Sequence, residues 1–208
     1  MAKFSYSFTT FTPTATADAA TALANGSYMA VQGGNATQRL TFIEVYLGGQ
    51  AGASSPTFML LSRDSTVGVT LSSTSGAMQA ALDGTHSVLS VVPIGFTIAG
   101  TNPQRSTTLH LLNLSYNAFG GIVRWVAAPG EEPSTIGNTA SLGEVSLSAF
   151  TGGTAGLTGA HIIYEPAVTL PLQTADLGDG GGKSHRHHRS NRKTLHRERI
   201  APYISGAI

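Results

Sequence analysis

Apolar residues recur at every second position along most of this 208-residue chain, a period that strands satisfy and helices do not. Gln38–Leu47 sets Thr41, Ile43, Val45 and Leu47 against Leu40, Phe42, Glu44 and Tyr46. Both sets are largely apolar, which predicts a central strand covered on both faces. Thr57–Arg63 predicts a second strand after a Gly/Ser/Pro loop. Val88–Val92 and Phe96–Ala99 flank Pro93 and read as one bent strand or two. Thr107–Leu114, Gly121–Ala127, Gly143–Phe150 and Ala160–Glu165 follow. Phe4–Phe11 alternates aromatic and hydroxyl residues and predicts a strand at an edge of this sheet or of a neighbour's. Only Gly76–Leu82 has helical composition, and it is too short to stand alone.

Clusters of Gly, Pro, Asn and Ser separate these runs at the spacing of an all-β sandwich. The expected fold is all-β, an antiparallel β-sandwich of jelly-roll type, with an extended N-terminal segment and a C-terminal arm. Residues 1–25 form the N-terminal arm or edge strand, 26–170 the body, and 171–208 a linker and basic arm. Val45, Leu60, Leu111, Trp125, Val145 and Ile162 are the expected core. The chain has no cysteine, which excludes disulfides and thiolate metal sites. Its first residues lack the apolar stretch of a signal peptide, and no run is long enough to span a bilayer, so neither export by the usual route nor a membrane partner is expected.

Charge is scarce and unevenly placed. Charged residues make up 11% of the chain, against the usual ~25%. Residues 1–182 carry a formal charge of −5 and residues 183–208 carry +6. Hydroxyl and amide groups supply the body's polarity, which suits surfaces buried against other chains. The tail opens with Lys183, Arg186, Arg189, Arg192 and Lys193 among histidines, continues through Arg197, and ends on Ile200-Ala201-Pro202-Tyr203-Ile204-Ser205-Gly206-Ala207-Ile208. The basic run alone would suit salt-sensitive contact with nucleic acid. The apolar end with Tyr203, Ile204 and Ile208 favours docking in a groove or at a sheet edge of a partner protein.

No motif for catalysis or for a cofactor stands out. His161 shares a strand with Tyr164 and Glu165, but no nucleophile elbow accompanies it, and His86 and His110 are isolated. Glu131 and Glu132 lie together on a proline-bounded turn and read as solvated. Asp176 to Gly182 lacks the spaced acids of a calcium loop. Gly181-Gly182-Lys183-Ser184 is only the end of a phosphate-binding loop. His185, His187, His188 and His196 alternate with arginines that repel a metal cation. The expectation is a non-enzymatic protein without cofactor or metal.

Four segments resemble the small β-sandwich structural proteins of tailed bacteriophages, of the head-decoration or cement type. They are the Thr/Ala/Pro opening Phe8–Ala17, the Leu40–Leu47 and Phe58–Arg63 hairpin, the aromatic strand Gly121–Ala127, and the closing hairpin Glu144–Glu165. The likeness spans about residues 4–166 and does not include the basic tail. It implies a virion protein on the capsid surface, synthesised in the host cytoplasm, with the major capsid protein as partner and a homo-oligomer, a trimer, as working form. A tail or head-fibre component is the structural alternative. A carbohydrate-binding β-sandwich for host attachment is the alternative from another class.

Overall fold

The computed structural model describes residues 2–11, 22–24, 27–71, 77–86, 89–139, 141–152 and 157–168. The chain divides into Met1–Pro171 and Leu172–Ile208. All nine arm residues named above, from Lys183 to Ile208, lie outside the described residues, as do the Asp176–Gly182 segment and the tail histidines.

Ten strands form the first unit: β1 (Phe4–Phe11), β2 (Tyr28–Gln32), β3 (Gln38–Gln50), β4 (Pro56–Thr66), β5 (Ala77–Ala81), β6 (Ile94–Phe96), β7 (Gln104–Asn117), β8 (Val123–Val126), β9 (Val145–Gly152) and β10 (Leu157–Val168). They build two antiparallel sheets of five strands, a β-sandwich without a described helix. The front sheet has the order β5-β1-β10-β3-β8 and the back sheet β6-β2-β9-β4-β7. Consecutive strands alternate between the sheets except at β6 and β7, which both lie in the back sheet. Each of β1 to β4 sits beside at least one strand from the second half of the chain.

The core lies between the sheets. The front sheet contributes Phe4, Tyr6, Phe8, Leu40, Phe42, Val45, Leu47, Ile162 and Tyr164, and the back sheet Met29, Val31, Met59, Leu61, Val145 and Leu147. Each such side chain stabilises by about 1.5–3 kcal/mol when fully buried. Three of the buried tyrosines have partners for their hydroxyls: Tyr6 donates to the Pro93 carbonyl, Tyr116 pairs with Thr158, and Tyr164 accepts from Gln79 Nε2 at 2.7 Å. Burial pushes the Tyr6 phenol up to about 12.

The structure revises four sequence expectations. Phe4–Phe11 is an inner strand, paired with β10 on one side and β5 on the other. Ala77–Ala81 is strand β5, because pairing with β1 overrides the helical preference of Ala, Met and Gln. β3 is not covered equally on its two faces. Ile163 pairs with Glu44 but Tyr164 pairs with Phe42, so Ile43 is an extra residue in a β-bulge. The bulge switches the parity of the strand and turns Leu40, Phe42, Val45 and Leu47 all inward. Two apparent apolar faces are thus one face and a shift. Finally, Val45, Leu60, Val145 and Ile162 are buried, while Leu111 and Trp125 only border the core.

Candidate functional site

The outer face of the front sheet carries an open groove of about 560 Å³. Its construction follows from register. Ser7 pairs with His161, His161 with Tyr46, and Tyr46 with Arg124, so one row of side chains crosses β1, β10, β3 and β8. The next outward row along β10 and β3 is Gly159 opposite Gly48, where no side chain rises. The row beyond pairs Leu157 with Gln50. Two glycines in register between two rows of side chains make a trough, and Ile122 closes one end.

The first row is a connected polar wall. Ser7 Oγ lies 2.8 Å from His161 Nδ1, and the His161 ring meets the Tyr46 ring edge-on at 5.7 Å. The Arg124 guanidinium sits 5.5 Å from the centre of the Tyr46 ring. Tyr46 donates its hydroxyl to Glu44 Oε2 at 2.6 Å, and Arg124 reaches the same carboxylate at 2.8 and 2.9 Å. The Tyr46 hydrogen bond, aided by Arg124, holds Glu44 below the usual carboxylate range. Burial lowers the His161 imidazole, against the pull of Glu44. The imidazole is therefore neutral at physiological pH and serves as a hydrogen-bonding group.

The remaining walls are apolar. Ile122 is 76% exposed and Leu157 43%, and Phe119 on the adjoining turn is 62% exposed. Beside them β8 is an edge strand of the front sheet, and β7 is an edge strand of the back sheet. β7 runs for 14 residues from Gln104 to Asn117 without Pro, Lys or an acid. An edge that long can template another chain, although the register shifts between β4 and β7 are one device that blunts it.

Chemically, the groove offers apolar contact, a few hydrogen bonds and little charge, which suits recognition of an extended segment. The Ser7–His161 pair is a cross-strand contact. Tyr164 points into the core, away from His161. His86 is an exposed partner of Asp83 at 3.2 Å, His110 is exposed, and Glu132 caps its own turn through the Gly130 N–H at 2.9 Å. Among the described residues, no three His, Asp or Glu side chains converge as metal ligands, and no helix is long and apolar enough to cross a membrane.

Sequence reasoning singled out His161 and the 121–127 strand without placing them together. The signal that could have located the groove was the pair of glycines inside strand patterns, Gly48 and Gly159. No family model, curated protein or solved structure matches this chain.

Proposed function

We propose that the protein is a non-enzymatic structural component of a virion, a capsid decoration or cement protein of the tailed-phage type. The carrying observation is the groove of little charge on the front sheet, with Ile122 and Leu157 exposed along its apolar side. Leaving out β5 and β6, the orders β1-β10-β3-β8 and β2-β9-β4-β7 support a jelly-roll reading, an architecture used by viral shell proteins and by lectins. The groove takes an extended segment of the major capsid protein, and the edges of β7 and β8 pair with further copies in a trimer. The basic arm ties the unit to a neighbour through Lys183, Arg186, Arg189, Arg192, Lys193 and Arg197, with Tyr203, Ile204 and Ile208 filling an apolar site. Nucleic acid is the alternative target of its charge. Many individually weak contacts then act together, because tethering raises the effective concentration of each.

The lectin reading draws on the same groove, since Tyr46 is an aromatic in a polar wall. Its ring, however, already carries Arg124 on one face and His161 at its edge. That leaves a poor stacking platform for a sugar and favours the protein-docking reading. The test is copy number in purified particles. Hundreds of copies per particle support decoration; a handful assigns the protein to the tail or a fibre.

A further inference from the structure

Part of the outer face of the back sheet is unusual, because it is polar and yet covered. Ser62, Asp64, Glu144, Ser146 and Ser148 line it, each with no exposed surface. The cover is a ribbon formed by residues 67–71 and 97–103. Val69 and Thr101 exchange two backbone hydrogen bonds of 3.0 Å, and the Gly100 N–H donates to the Thr70 carbonyl at 2.9 Å. Below it Phe96 meets Tyr28 edge-on at 6.3 Å, in a small apolar cluster with Leu23, Ala30 and Ala99. Gly68 rests on Phe96 so closely that a Cβ would fall 2.7 Å from the ring.

Asp64 and Glu144 are neighbours across β4 and the start of β9, joined by a 3.1 Å bond from the Asp64 N–H to the Glu144 carbonyl. Asp64 Oδ1 accepts from Ser146 at 2.5 Å. Glu144 accepts from the Gly68 N–H at 3.2 and 3.4 Å, which ties the ribbon to the sheet. Asp64 Oδ2 is buried without a donor. Two carboxylates set side by side in a dry site supply that donor by sharing a proton. We propose that this shared proton locks the ribbon over the back sheet, and that its loss as pH rises lifts the ribbon and exposes Tyr28, Phe96 and Leu23.

The surrounding charges fix the direction. Arg105 on β7 is buried nearby and donates to Ser148 Oγ at 2.7 Å, so it balances one carboxylate but not two. Arg63 on β4 turns to the Ser134 and Leu142 carbonyls at 2.6 and 3.3 Å. Tyr28 on β2 and the exposed His110 on β7, which pairs with Ser62, also lie on this face, and residues 67–71 and 94–103 contain no titratable group. Burial raises both acids, Glu144 to about 7 and Asp64 well above its usual range. The closed state thus holds protons that an open, hydrated pair would release. The lock is complete in acid and weakens as pH rises above the ordinary carboxylate range.

Native-state hydrogen exchange on the full chain tests this, read at the Val69, Gly100 and Thr101 amides between about pH 5.5 and 8.5 with intrinsic rates divided out. Each proton released on opening changes the opening constant by up to about tenfold per pH unit. Ribbon protection should fall accordingly while the β3 amides of Val45 and Leu47 hold theirs. Glu144→Gln keeps a donor for Asp64 without an ionisable group and should flatten the profile, and Asp64→Asn should do the same. Ribbon protection independent of pH in the unmodified protein would overturn the proposal. So would loss of protection at the same rate in the ribbon and β3, which would mean global unfolding.

Discussion

Gly48 and Gly159 face each other across β3 and β10, and the absence of both side chains is what makes the groove. A Cβ at Gly159 would meet only the Phe8 carbonyl, at 3.4 Å, an ordinary contact. Gly159→Val therefore fills the trough without disturbing the core, and valine suits a strand. The variant should melt within about 1 kcal/mol of the parent and lose at least about tenfold in affinity for capsids lacking the protein. Unchanged attachment, measured by co-sedimentation, would remove the groove from the docking surface.

Gly49 points the other way, and its substitution should behave differently. A Cβ there would lie 2.6 Å from Ala118 Cβ and 2.8 Å from the Leu157 carbonyl. Gly49→Ala should cost about 1–3 kcal/mol through overpacking. Gly52, where a Cβ meets nothing within 4 Å, is the matched control and should tolerate alanine. Denaturant melting of the two variants checks the contrast. Equal stability would mean that the turn at Ala118 relaxes freely.

Trp125 lies on β8 and only borders the core. Full burial would predict a loss of about 3–5 kcal/mol for Trp125→Ala. Its partial exposure lowers the expected loss to about 1–3 kcal/mol. A change under about 0.5 kcal/mol would show that the indole contributes nothing to the sandwich.

These contrasts show what alternation in the sequence can and cannot convey. The inward face of β9 was legible, because Val145, Leu147 and Ala149 alternate with Glu144, Ser146 and Ser148. That same pattern implies a solvated outer face, whereas the ribbon buries it, since local period carries no information about what a distant segment covers. Tyr28–Gln32 was missed because all five residues are buried and show no alternation. β3 misled through its bulge, as an extra residue inverts parity without leaving a mark in composition. The groove was hardest to read, because it depends on two glycines more than one hundred positions apart coming into register.

The arm's two readings separate by truncation. Deleting Ile200–Ile208 removes Tyr203, Ile204 and Ile208 but leaves all seven tail Lys and Arg in place. If the arm docks on protein, the deletion should weaken capsid attachment strongly, since each buried large apolar side chain contributes about 1.5–3 kcal/mol. Ordering the arm offsets part of that gain. If the arm binds nucleic acid, the deletion should do little. Neutralising Arg186, Arg189, Arg192 and Lys193 should then abolish binding and flatten its dependence on salt. Co-sedimentation with capsids lacking the protein, at low and moderate salt, distinguishes the two. Full binding by the truncated chain, with loss only in the charge variant, would sink apolar docking and leave an arm that works by charge alone. The groove variant Gly159→Val retains the entire arm, so its result bears on the body's docking surface independently of this outcome.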